Sequence, residues 1–357
     1  MTKELFKRSN KNPILLPNPN NQWESLKVYN CGAIYDNKQH HLFYRAVGAG
    51  ENWHSVIGHA VSKDGENFTR FSTPVLDSET ALELRGLEDP RVTKVGDTFL
   101  MAYAAYDGIE PRLNIATSPN LNDWTKRGQA FRDFHFIENG GYKVKWESGK
   151  PVESRVKNGN DERSKSGGIF PEKINGKYWM LFNEYFLWLA ESDNGLSWEY
   201  IKEPILSARK GNFFDNTFVE MGPPPIKTEK GWLVLYHGID DSIYYRLGFL
   251  LLDLHDPSKI IYRSKNPIFW PQERYELSGL VDILPGGLKM FTLMTELERN
   301  DFIKKARDKG IMPKVTFCCG AVVVDGILRI YYGAGDTSIC TATAKLCEIL
   351  DLVDIGF

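Results

Sequence analysis

The chain of 357 residues carries 44 lysines and arginines against 46 aspartates and glutamates, for a formal net charge of −2. That balance gives no electrostatic footprint for nucleic acid or an anionic membrane, and 42% hydrophobic with 25% charged residues is the make-up of a globular chain with a real core. Aromatic residues reach 13%, a load that suits pleated sheets and also rings that stack on sugar faces.

At the N-terminus, MTKELFKRSNKNPILLPNPN has no apolar run of signal-peptide length. No window approaches the roughly 18 apolar residues of a membrane span. The five cysteines (Cys31, Cys318, Cys319, Cys340 and Cys347) are odd in number and include no C-x-x-C pair. They read as free thiols of a reducing compartment, and the absence of a signal sequence makes a cytoplasmic location the expectation. His40 and His41 are adjacent rather than at ligand spacing, and no H-E-x-x-H occurs, so neither a metal nor an organic cofactor is expected.

In chain order, five similar units follow, each an apolar opening, a turn and an aromatic-rich run. They are CGAIYDNKQHHLFYRAVG (31–48), EDPRVTKVGDTFLMAYAAY (88–106), GIFPEKINGKYWMLFNEY (168–185), GPPPIKTEKGWLVLYHGI (222–239) and CGAVVVDGILRIYYGAGD (319–336). Gly, Asn or Asp at the turns predicts a β-hairpin in each. A second motif follows three of them: AVSKDGENF (60–68), ATSPNLNDW (116–124) and AESDNGLSW (190–198). LLDLHDPSKIIY (251–262) is a looser copy and TAKLCEILDL (343–352) a faint echo. Two hairpins per unit give about four strands, the size of a propeller blade.

Only MTELERNDFIKKARDKG (294–310) has a helical pattern. The expectation is an all-β protein, one domain over 1–357 forming a single five-bladed β-propeller. Loop insertions near 132–166 and 270–316 should emerge on one face and shape a pocket. A β-sandwich would leave the repeated two-hairpin unit unexplained.

The first strand of a propeller blade lines the central channel. The unit openings bring Asn30, Glu88, Asp89, Arg91, Lys165, Lys173 and Glu220, and the following strands end in Arg45, Asp107, Glu184, His237 and Asp336. Carboxyl and basic groups gathered at one end of a channel suit sugar chemistry, which needs a proton donor beside hydroxyl binders. Taken alone, an Asp before Pro is a turn or strand-start residue. In GLEDPR (86–91), Glu88 and Arg91 flank Asp89 with opposite effects on its pKa.

The ordered set NPIL (12–15), YNCGAIY (29–35), FYRA (43–46), GLEDPRV (86–92), RLNIATSPNLNDW (112–124), KSGGIFPEKINGKYWMLF (165–182), VEMGPPPIKTEKGWLVLYHGID (219–240), YRLGFLLLDLHDP (245–257) and CGAVVVDGILRIYYGAGDT (319–337) spans nearly the whole chain. It resembles glycoside hydrolase family 130, the five-bladed β-mannoside phosphorylases and mannosidases. The resemblance implies that Asp89 is the catalytic acid, acting through a hydroxyl of the bound mannose. It also implies inorganic phosphate as co-substrate, attacking the anomeric carbon and held by Arg112, Lys165 (or Lys173) and His237, with Tyr245 nearby. Asn30, Arg45 and Asp336 match sugar- or phosphate-contacting positions, and Glu88, Asp107, Glu184 and Glu220 complete the candidate substrate-binding set. Trp53, Tyr106 and Phe213 are candidates for stacking on sugar rings, with buried packing as the ordinary alternative.

The activity expected is that of an inverting glycoside phosphorylase of β-mannosides. The alternatives are an inverting β-1,2-mannosidase, with Glu184 or Glu220 as base, and a non-catalytic sugar-binding propeller. Partners expected are an oligosaccharide and a homo-oligomer formed through the N-terminal arm or 294–310, with no nucleic acid and no membrane.

Overall fold

A computed structural model describes residues 5–48, 54–135, 144–147, 150–153, 163–240, 244–277 and 314–357. The chain is nearly all β. Five antiparallel meanders carry the expected hairpins as their first two strands. The first runs Lys27–Asp36, Gln39–Val47, Ser55–Ser62 and Thr69–Arg70; the second runs Gly86–Val95, Thr98–Tyr106, Pro111–Ser118 and Thr125–Gln129. The third is Gly168–Ile169, Tyr178–Phe182, Trp188–Ser192 and Glu199–Tyr200; the fourth is Phe218–Met221, Gly231–Ile239, Tyr245–Leu252 and Ile260–Arg263. In the fifth, Thr316–Val324, Ile327–Ala334 and Ser338–Lys345 are joined by Lys7–Arg8 from the other end of the chain.

Apolar runs such as TFLMAYAAY form strands buried on both faces, so alternate side chains serve different neighbours. Phe99, Met101 and Tyr103 pack with Phe43 and Ile57 of the first meander. Leu100 and Ala102 pack with Ile169, Met180 and Phe182 of the third. The same alternation sends Trp232 and Val234 toward the third meander and Leu233 and Leu235 toward the fifth. Tyr44 and Ala46 meet Val322 and Tyr331, joining the first meander to the fifth. The five apolar interfaces therefore follow one another in a cycle, and each buried Leu, Val or Phe adds about 1.5–3 kcal/mol.

The second motif is a side-chain-capped turn. In AVSKDGENF, Asp64 Oδ1 accepts the Glu66 and Asn67 amides, while Ser62 Oγ accepts that of Gly65. Asn120 and Asn194 repeat the arrangement in the second and third meanders, as Asx turns do.

One expectation is corrected. TAKLCEILDL is no hairpin: its first residues end a strand and the rest is the helix Leu346–Asp354. Ile349 and Leu350, a turn after Leu346, pack that helix onto the fifth core, a 3.6-residue stripe that the repeat reading passed over. The fourth strand of this meander comes from Lys7–Arg8, with Lys7 opposite Thr343 and Arg8 opposite Ala342. That part of the N-terminal arm is thus used within its own chain. The segment 294–310 lies outside the described residues.

Candidate active site

First strands of three meanders share one irregularity. A register shift falls between Tyr29 and Gly32, between Glu88 and Arg91, and between Cys318 and Gly320. Such bulges re-aim a side chain and interrupt pairing. At the first two, Asn30 and Asp89 take φ of 45° and 50°, and Ser166 ahead of the third meander takes 55°. Asn and Asp tolerate this left-handed region better than most residues. Three of the first strands fit closely: a Cβ on Gly32 would stand 2.6 Å from the Pro90 carbonyl, and one on Gly320 would stand 2.7 Å from that of Cys31.

Asp89 is 2% exposed. Its Oδ1 accepts a 2.9 Å hydrogen bond from Asn30 Nδ2 and lies 3.4 Å from Arg45, whose other nitrogen pairs with Glu88. Its Oδ2 is 3.5 Å from Lys165 Nζ. Lys165 also approaches Glu184 at 3.8 Å and Glu220 at 3.6 Å, so one ammonium serves three buried carboxylates. Glu184 and Glu220 face each other across the Glu184–Tyr185 and Phe218–Met221 strands. Arg91 is buried behind them, donating to the carbonyls of Asp89, Met221 and Gly222 and so tying the second meander to the fourth.

The charges set the proton affinities. Burial works to raise Asp89, but Lys165, Arg45 and Arg91 outweigh it and hold the carboxyl below its usual range. Burial raises Glu220, helped by Glu184 and Asp89 and opposed by Lys165. Burial also raises Asp336, with Lys27 and Arg45 opposing. Glu184 lies lower than usual, because Arg163 and Lys165 together overcome its burial.

His237 stacks on Phe317 at 4.3 Å, and its Nε2 accepts the Cys318 amide at 2.8 Å. Burial, with Arg91 nearby, lowers its pKa to about 3. The imidazole is therefore neutral with its proton on Nδ1, and it offers an N–H donor rather than a charge. Tyr245 stands beside His237 and Phe317, with ring centroids 6.2 and 5.9 Å away.

Arg112 and Asp107 form a pair of their own at 2.6 Å, and Asp107 also caps the amides of Ile109 and Glu110. Lys173 lies over the Tyr178 ring, leaving Lys165 as the lysine of the cluster. Tyr106 is half-buried near Glu88, Phe213 is exposed beneath Arg209, and Trp53 lies outside the described residues. Among the described residues no group of three or more His, Cys, Asp or Glu side chains is arranged for a metal ion.

Three site residues escaped the sequence reading. Ser166 Oγ donates to Glu220 Oε1 at 2.8 Å; its place in KSGG matches Asn30 in YNCG and Asp89 in EDPR, so the signal was present. Lys27, buried at the start of the first strand, lies 5.2 Å over the Tyr29 ring, and burial lowers it to about 8. Arg163 Nε donates to Glu184 Oε1 at 2.8 Å; it sits in a polar loop with no pattern to mark it.

The profile of a family described as β-1,4-mannooligosaccharide phosphorylase, glycoside hydrolase family 130, matches residues 3–284. The chain belongs to glycoside hydrolase family 130. Within it, the chain is 38% identical to a 1,2-β-oligomannan phosphorylase of Thermoanaerobacter sp. (strain X514), covering 99% of both chains. A β-1,2-mannobiose phosphorylase of the same organism is 34% identical over 96% of this chain and 97% of its own. The solved complex of the Listeria innocua β-1,2-mannobiose phosphorylase with β-1,2-mannobiose superposes with a TM-score of 0.74 at 24% identity, covering 98% and 99% of the two chains. That likeness bears on the fold. GLEDPR in this chain is the strand mouth at which Asp89 meets Lys165.

Proposed function

We propose that this family 130 chain is an inverting phosphorylase of β-1,2-linked mannosides, built as a single five-bladed propeller around the Asp89 cluster. The cyclic order of the five apolar interfaces supports the propeller, and the names of the two Thermoanaerobacter relatives support the linkage. The observation that carries the chemistry is Lys165, a buried cation set between Asp89 and the pair Glu184 and Glu220.

Phosphate drawn to Lys165 attacks the anomeric carbon from the face opposite the leaving sugar. The new C–O bond to phosphate forms as the glycosidic C–O bond breaks, and the departing oxygen takes a proton that originates on Asp89, relayed by a mannose hydroxyl. Substrate-free Asp89 is held ionised mainly by Lys165. A phosphate dianion on Lys165 cancels that cation and returns the Asp89 pKa toward the donor range. His237 Nδ1–H supplies a neutral hydrogen bond, and Tyr245 lies beside it. Asn30 and Arg45 hold the Asp89 carboxylate in place. The mannosidase alternative asks Glu184 or Glu220 to act as a free base, yet Glu184 is engaged by Arg163 and Lys165, and Glu220 by Ser166 and Lys165.

Incubation with β-1,2-mannobiose, with and without inorganic phosphate, tests the reading. Mannose 1-phosphate formed only when phosphate is present is the expected result. Free mannose released without phosphate would identify a hydrolase instead.

A further inference from the structure

The fifth meander is closed by Lys7–Arg8 on its outer edge, where it meets the Asx turn of the first meander. A cavity of about 310 Å³ opens at that seam, lined by Lys7, Arg8, Lys11, Glu66, Arg329 and Thr343. This is near the lower end of small-ligand pockets. Its charges do not balance. Arg8 is committed to Glu276, at 2.8 Å, and to the Trp270 carbonyl. Lys11 and Arg329 share the single carboxylate of Glu66 at 3.8 and 3.6 Å, both beyond hydrogen-bond length. Lys7 is exposed and makes no ion pair among the described residues.

Arg329 Nη1 is moreover buried with no hydrogen-bond acceptor. Buried donors in folded proteins are almost always satisfied, so an unsatisfied guanidinium nitrogen on a residue that lines the cavity calls for an acceptor from outside the chain. Lys7, Lys11 and Arg329 against Glu66 leave two positive charges, the complement of a dianion.

We propose that this seam is a second anion site, separate from the Lys165 cluster, that takes a phosphomonoester or inorganic phosphate dianion. The Arg329 guanidinium is the charge that meets its oxygens, and Lys7 and Lys11 lie on the exposed side. Glu66 is the competitor the anion displaces. Because the site spans the strand that closes the chain on itself, its occupant ties the N-terminal strand to the first meander.

Calorimetric titration of the full chain with inorganic phosphate, and separately with glucose 6-phosphate, tests this. The Lys11→Gln/Arg329→Gln variant should bind one equivalent of phosphate fewer than the parent, with turnover of mannoside unchanged. That difference of one equivalent does not depend on whether phosphate also binds at Lys165. Glu66→Gln should change affinity in the opposite direction, tightening it by up to about fivefold, the scale of an exposed ion pair. Should the double variant fail to fold, Lys7→Gln on the exposed edge should weaken binding by up to about fivefold. Competition by glucose 6-phosphate for the same equivalent marks an ester-accepting site, and its failure to compete marks one for free phosphate. Equal stoichiometry in parent and double variant, or no change in affinity for Glu66→Gln and Lys7→Gln, overturns the proposal.

Discussion

Glu83 and Glu220 are both buried glutamates, but their surroundings differ in kind. Glu83 accepts from Tyr103, from Lys126 and from the backbone amides of Glu79 and Thr80. Glu220 accepts from Ser166 and shares Lys165 with two other carboxylates.

The Glu83 pattern recurs around the molecule. An acid at or before the first strand meets a tyrosine of the second strand and a base of the fourth: Glu24 with Tyr44 and Arg70, Asp215 with Tyr236 and Arg263, and Glu276 with Tyr332 and Arg8. The third meander replaces all three members by aromatics, Phe134, Phe182 and Tyr200, with centroids 5.0–5.1 Å from Phe134. An apolar cluster can therefore fill the role of the triad, which marks the triad as architecture. Among the described residues the Lys165 cluster has no second copy: it gathers beside Asp89, at a bulge with positive φ, and three carboxylates share its one lysine. Buried charge is crowded and shared at Lys165 where in the triads it is paired off.

Four substitutions probe that contrast. Asp89→Asn should lower turnover by about 10²–10⁴-fold, the worth of a general acid, while the fold survives because Lys165 keeps Glu184 and Glu220. Retained activity in a mannobiose assay would remove Asp89 from the mechanism. Asp215→Ala should do the reverse, taking the buried carboxylate away from the half-buried Arg209 and Arg263 and from the buried Tyr236 hydroxyl. A loss of about 3–5 kcal/mol in denaturant unfolding, with kcat per folded molecule unchanged, is the expected outcome.

Phe182→Tyr restores a triad hydroxyl where no acid waits. It should cost about 1–3 kcal/mol for an unsatisfied buried donor; a stabilised variant would show that the third meander hides a partner. The smallest effect concerns a buried group kept neutral. His59, stacked on Phe43 and Phe71, has its pKa lowered by burial to about 3 from 6.5. The unfolded chain takes up a proton below pH 6.5 that the folded chain refuses, so stability falls as pH drops through that window. His59 accounts for about 2 kcal/mol between pH 6.5 and 5. His59→Gln should reduce the slope of melting temperature against pH there, leaving the share of the other buried histidines, and an unchanged slope would acquit this histidine.

Local chemistry wrote the repeat legibly. Turn residues, alternating apolar runs and the Ser-x-Asx turns predict strand pairs that the structure places at the same residues. The order of motifs also brought Asp89, Lys165, Glu184 and Glu220 forward as candidates, and they meet. The neutral state of His237, the pairing of Arg112 with Asp107, and the parts of Arg163 and Lys27 were out of reach. Each depends on a partner far away in the chain or on burial, and no local pattern encodes either.

By itself the sequence determined the strands, their turns and the residue types at each strand mouth, because hydrogen-bonding turns and two-residue periodicity act over a few residues. Only the tertiary structure decided which charges share Lys165, that Lys7–Arg8 closes the fifth meander, and that the Asp89 carboxyl is held below its usual range. Proton affinity and ion pairing follow from distance and burial, and in this protein both are set by strands brought together from all five meanders.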